Sequence, residues 1–233
     1  MITITKNSPE WKTLFGSPDT ADFLKASNIE TLFAEGDLTA LLNPARPKVI
    51  LTGARDIREN EIPAIRAVME KLAQNPWHPV IVSGLAVGTD TFVHRYALEL
   101  GLATIAVTAN GLDTVYPFMN RELAGQIQST KDCALLTPFP EGTAPLATNF
   151  LARNRLMALL SDAAVILYSK SKGSSILSAR LMADLEKPVW ALPGRINDIN
   201  AAGCNQLIRE GSALILSDLS DLDNIIGTPI LKK

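Results

Sequence analysis

The chain has 233 residues, 47% of them hydrophobic, a formal net charge of −2 and a pI of about 5.7. That is enough apolar material for one large α/β domain with a short extension. The balance of charge excludes a globally basic nucleic-acid binder, so any such site must be a local patch.

At the amino terminus, Met1-Ile2-Thr3-Ile4-Thr5-Lys6 lacks the apolar core of a signal peptide. No stretch approaches the ~18 uninterrupted apolar residues of a membrane span, so the expected compartment is the cytoplasm, with no membrane partner. Residues 1–47 carry four basic side chains (Lys6, Lys12, Lys25, Arg46) against six acidic ones (Glu10, Asp19, Asp22, Glu30, Glu35, Asp37). Pro44-Ala45-Arg46-Pro47 then separates them from the first strongly apolar run. We read 1–47 as an N-terminal extension or linker and 48–233 as one domain.

From there, short apolar runs alternate with helical patterns. Candidate strands are Lys48 to Thr52, Val80 to Ser83, Ala103 to Thr108, Cys133 to Leu136, Ala163 to Tyr168, Val189 to Leu192 and Ala213 to Leu216. Ile62, Ile65, Met69 and Leu72 recur at helical spacing, as do Phe92, Val93, Tyr96, Ala97 and Leu100. The alternation predicts an α/β fold, a Rossmann-like parallel sheet of about seven strands with helices on both faces. In such a sheet the ligand lies beyond the carboxyl ends of the strands, so the residues after each run are the candidates for a site.

Five such stretches stand out. After the first strand, Thr52-Gly53-Ala54-Arg55 offers a glycine for close backbone approach and an arginine fork for a phosphate; a β-to-α loop with a solvated arginine fits equally well. After the second, Ser83-Gly84-Leu85-Ala86-Val87-Gly88-Thr89-Asp90 breaks at two glycines and restarts as a helix, which turns backbone N–H groups toward open space, as in an anion site. His94, beside Phe92, Val93 and Tyr96, reads as a packed histidine rather than a general base. Gly111 to Leu123 contains Asp113, Pro117 and Asn120, which fasten a loop, and Tyr116, which either packs or stacks.

In the next stretch, a glycine- and proline-bounded loop enters a helix at Asn149 or Phe150, near Arg153 and Arg155. An aromatic beside arginines at a helix start suits a groove that stacks bases and tracks phosphates. The competing reading makes Phe150 core, with one arginine solvated and the other ion-paired. Between residues 142 and 183, five cations (Arg153, Arg155, Lys170, Lys172, Arg180) face Asp162 alone, which favours the anion site. Lys172-Gly173-Ser174-Ser175 then opens another helix, either as an ordinary cap or as a second phosphate seat. Cys133 and Cys204 lie far apart with no CxxC or histidine-rich neighbourhood, so no metal site or disulfide is expected.

The wording of these stretches resembles the DNA-processing protein A (DprA/Smf) family over roughly residues 48 to 217. Ser83 to His94 matches its S-G-L-A-x-G-x-D-x-x-x-H. Gly111 to Leu123 is similar to G-L-D-x-x-Y-P-x-x-N-x-x-L, and Phe150-Leu151-Ala152-Arg153-Asn154-Arg155 to F-x-x-R-N-R. Gly36-Asp37-Leu38 looks like the family's linker turn, and Leu192-Pro193-Gly194 with Gly203-Cys204-Asn205 like its closing motif. Asp56 departs from the pattern, standing where a second cation is common, and Gly173 falls one place early.

The resemblance implies a non-enzymatic single-stranded DNA-binding protein in DNA processing, uptake or recombination. It implies a RecA-like recombinase as partner, a homodimer, no cofactor and no metal. It also leads us to expect that the family's helical N-terminal domain and C-terminal winged helix are missing. The site residues it suggests are Gly53, Arg55, Ser83, Gly84, Asn149, Phe150, Arg153, Arg155, Lys172, Ser174 and Ser175. A rival reading is a nucleotide-binding sensor or a phosphoribohydrolase-like enzyme for nucleoside monophosphates. Such enzymes carry a glutamate in the glycine loop, and Lys172 to Ala179 holds no acid.

Overall fold

In a computed structural model, described over residues 1–16 and 29–225, nine strands form one sheet in the order β1-β2-β6-β5-β4-β3-β7-β8-β9. Asp19, Asp22 and Lys25 of the acidic lead-in lie outside the described residues. The strands are β1 (Ile2–Thr5), β2 (Thr31–Gly36), β3 (Lys48–Gly53), β4 (Val80–Ser83), β5 (Thr104–Val107), β6 (Ala134–Thr137), β7 (Ala163–Leu167), β8 (Val189–Ala191) and β9 (Leu214–Ile215). The helices are α1 (Pro9–Phe15), α2 (Thr39–Leu42), α3 (Ile62–Ala73), α4 (Thr89–Glu99), α5 (Arg121–Ser129), α6 (Ala147–Leu160), α7 (Ser174–Asp184) and α8 (Ala202–Arg209).

β3 to β9 pair in parallel throughout and correspond to the seven runs read from sequence. β4, β5, β6 and β7 are buried at every position, as strands covered on both faces must be, so their sequences are continuous apolar runs. Alternation sorts the side chains. In β3, Ile50 joins the core beneath α1, α6, α7 and α8, while Val49 and Leu51 join the opposite core beneath α3 and α4. The spacing read for α3 places Ile65, Val68, Met69 and Leu72 in that second core.

The two further strands come from residues 1–47. β1 and β2 form an antiparallel pair, and β2 runs antiparallel to β6 with Phe33 opposite Thr137. β2 alternates buried Leu32 and Ala34 with half-exposed neighbours, a two-residue period that Glu30, Glu35 and Gly36-Asp37 obscure in the sequence. At the Gly36-Asp37-Leu38 turn, Gly36 has a φ of +111°, where a side chain would meet the Cys133 carbonyl. The Asp37 carboxylate accepts from the Thr39 hydroxyl and N–H and from the Asp132 N–H, which brings its pKa down to about 2.

β3 sits between β4 and β7, so the chain winds outward on either side of it. The crevice beyond its carboxyl end is the switch point of the sheet.

Candidate nucleic-acid interface

The glycine loop after β4 is held from three sides. Asn120 Nδ2 donates to the carbonyls of Leu85 and Ala86 at 2.9 and 3.3 Å. The Thr91 hydroxyl donates to Ala86 O at 2.9 Å, and both the N–H and hydroxyl of Thr89 donate to Ala54 O at 3.0 Å. These bonds hold Leu85 at φ 56°, a left-handed conformation costly for a residue with a Cβ. Gly88, at φ 80°, lies so near the Ala54 and Arg55 carbonyls that a side chain has no room. Tyr168, just after β7, is a second left-handed residue (φ 63°), so strained backbone flanks the crevice on both sides.

Arg153 and Asp90 lie at the bottom, each about 5% exposed. The Arg153 guanidinium donates to Gly84 O at 2.6 Å, Val107 O at 3.1 Å and Asn154 Oδ1 at 2.9 Å. Asp90 accepts from the Thr52 hydroxyl at 2.9 Å and from the N–H groups of Gly84 and Ala86 at 3.2 and 3.3 Å. Burial raises the Asp90 pKa, against the pull of Arg153 and these donors. Gly84 separates the two groups, and a side chain there would overlap the guanidinium.

Above them lies the half-buried ring of Phe150. The Arg153 guanidinium carbon is 5.6 Å from its centroid and that of exposed Arg55 is 5.4 Å, while Tyr116 meets it edge-on at 6.1 Å. Three hollows adjoin this stack. The largest, about 330 Å³, runs from Gly53–Asp56 to Ser169–Lys170 and Gly173–Ser175; a second is lined by Gly84, Ala86, Tyr116, Pro117, Phe150 and Arg153; a small third reaches Asp90 and Ser178. Arg55 lines all three. Across the largest hollow Lys170 pairs with Asp56 at 3.1 Å, and at its wall the buried Ser175 hydroxyl donates to Ser169 Oγ at 2.8 Å.

Of the residues singled out from sequence, the structure gathers Gly53, Arg55, Gly84, Phe150, Arg153, Ser174 and Ser175 around these hollows. It places four elsewhere. The buried Ser83 hydroxyl donates to Leu51 O at 2.6 Å and ties β4 to β3. Asn149 donates to Ala144 O and closes the loop entering α6. Arg155 projects half-buried from α6 and does not line the hollows, because the helical turn that aims Arg153 inward carries its neighbour but one aside. Lys172 sits exposed on the serine turn, outside the largest hollow, where Lys170 stands instead.

Asp90 was legible only in part. An acid in the first turn of a helix, following a glycine loop, is placed to turn back onto that loop's N–H groups. His94 is fully buried: Nδ1 lies 2.8 Å from the Thr104 hydroxyl, and burial lowers its pKa to about 3. Both cysteines are buried and free, with burial raising the thiol pKa of each. Among the described residues no His, Cys, Asp and Glu side chains gather into a metal-binding cluster, and no helix is long and apolar enough to cross a membrane.

Residues 16–226 match the profile of DNA recombination-mediator protein A. The chain belongs to this family. It is 36% identical to the DNA processing protein DprA of Streptococcus pneumoniae over 186 residues, 80% of this chain and 63% of that protein. It is 33% identical to DprA of Bacillus subtilis over 80% of this chain and 61% of that one, so it spans less than two thirds of these relatives. Among solved structures, S. pneumoniae DprA superposes with a TM-score of 0.84 at 30% identity, over 97% of this chain and 75% of that one. DNA processing protein A from Helicobacter pylori, whose structure concerns a single-stranded DNA binding mode, superposes at 0.76 with 29% identity, over 95% and 94%.

Proposed function

We propose that the chain binds single-stranded DNA along the carboxyl edge of its sheet, in DNA processing, uptake or recombination, and does no chemistry on it. The observation that carries this reading is the Arg55–Phe150–Arg153 stack, with Arg55 shared by all three hollows. A half-buried ring with two guanidinium groups beside it supplies aromatic surface for a base, and exposed Arg55 supplies a phosphate fork next to it. The Gly53–Arg55 and Gly173–Ser175 loops extend the groove with backbone N–H groups and hydroxyls, and Lys170 joins them paired with Asp56. Arg153 acts from beneath, holding the glycine loop and Phe150 in place. Every groove residue lies within 48–233, where we place the DNA-binding function, while β1 and β2 extend the sheet. The H. pylori relative supports the choice of ligand.

The two acids that line these hollows are not poised for cleavage chemistry. Asp56 faces Lys170, Asp90 is buried among its donors, and the serine turn offers only hydroxyls and N–H groups. The proposal extends to transfer of the strand to a RecA-like recombinase, a cytoplasmic location and a homodimer, and membership of the family supports it. A dimer would let two grooves hold one strand, the second contact being effectively intramolecular. The test is fluorescence anisotropy with a labelled oligonucleotide, challenged by duplex and by nucleoside monophosphate. Displacement by the monophosphate alone, with release of free base, would instead establish the nucleotide enzyme.

A further inference from the structure

The turn Phe118–Asn120 presents two large apolar side chains to solvent, Phe118 and Met119, each 74% exposed. Exposed apolar residues are common on fraying loops. This turn is not one. Its third residue, Asn120, is 3% exposed and bonded to Leu85 O, Ala86 O and the Thr91 hydroxyl, the same ties that fix the glycine loop. A rigid base thus carries an aromatic ring and a thioether outward, an arrangement that holds apolar surface ready for a ligand.

Its surroundings identify the ligand. Tyr116 and Pro117, immediately before, line the hollow that holds Phe150, and Tyr116 is itself 46% exposed and in ring contact with Phe150. Exposed aromatic residues therefore stand at the rim of the groove, Tyr116, and two residues beyond it, Phe118. Arg121 follows at the start of α5, exposed and in no ion pair among the described residues. Aromatic faces with an exposed cation nearby repeat the chemistry of the groove itself.

We infer that Phe118 and Met119 form an outer stacking platform for bases of a single strand leaving the groove past Tyr116, with Arg121 taking a phosphate. This rests on the groove reading above. It predicts that affinity depends on strand length in a way the Arg55–Phe150 stack does not explain.

The test compares wild type with Phe118→Ser/Met119→Ser on labelled oligothymidylates of about 6 and about 20 nucleotides, at one salt concentration. Both side chains are largely exposed, so the melting temperature should hold. The expected result is a roughly 5- to 10-fold loss of affinity for the long strand, one stacked base lost at the weaker end of the range, with the short strand unaffected. Equal affinity of both proteins for both strands overturns the platform and leaves the groove standing. A concentration-dependent mass in sedimentation, seen for wild type and lost in the variant, overturns it in favour of a contact between copies. Wild type that binds neither strand overturns groove and platform together.

Discussion

Replacing Arg153 with alanine should damage the fold before it damages binding. Its guanidinium is buried, meets two carbonyls and an asparagine oxygen, and offsets the buried Asp90 carboxylate. Removing it leaves Gly84 O and Val107 O without their donor and Asp90 without its cation. Two buried carbonyls left without their donor and a buried carboxylate without its neighbouring cation cost together about 3–5 kcal/mol. For a chain of this size that corresponds to a fall in melting temperature of roughly 6–20 °C. Without the cation, Asp90 should hold its proton more tightly when folded, so the deficit against wild type should widen as pH rises. Asp90→Asn introduced alongside Arg153→Ala should recover part of the loss, because no uncompensated charge remains. Thermal and urea denaturation read both variants. Arg153→Ala melting within about 2 °C of wild type would refute the anchor role and return Arg153 to the list of free phosphate ligands.

Gly84→Ala places a Cβ against the same guanidinium, and so should lower stability and oligonucleotide affinity together, measured by melting and anisotropy on one preparation. His94 is neutral in the fold with a pKa near 3 against an ordinary 6.5, so the unfolded chain alone takes up a proton as pH falls. Stability should therefore drop below pH 6.5, by about 2 kcal/mol at pH 5, and His94→Gln should lack this component in urea titrations. An equal slope in the variant would show that His94 is protonated in the fold.

Much of this was legible in the sequence because buried parallel strands must be apolar on both faces, which made β3 to β8 visible as apolar runs, while edge strand β9 kept a short apolar run although Ile215 is exposed. β2 was hidden by its acidic flanks, since Leu32-Phe33-Ala34 is a run of only three apolar residues between Glu30 and Glu35. The site divided along similar lines. The loops at the strand ends were found from their glycines and arginines, and Phe150 from its neighbours. What sequence could not supply was direction: Arg153 and Arg155 are two residues apart on one helix, and only the fold shows which faces the crevice and that its charge is committed to Asp90, Gly84 and Val107. Ser83 and Asn149, polar residues beside turns, are spent on backbone carbonyls, the commonest fate of such groups.

The salt dependence of single-strand affinity in wild type, Arg55→Ala and Phe150→Leu tests the groove most directly. A negative log–log slope is expected for wild type, shallower by about 0.7 in Arg55→Ala as one phosphate contact disappears. Phe150→Leu should keep the wild-type slope while losing roughly 5-fold or more in affinity, since stacking carries no counterion release. Slopes and affinities unchanged in both variants would place the strand elsewhere on the molecule.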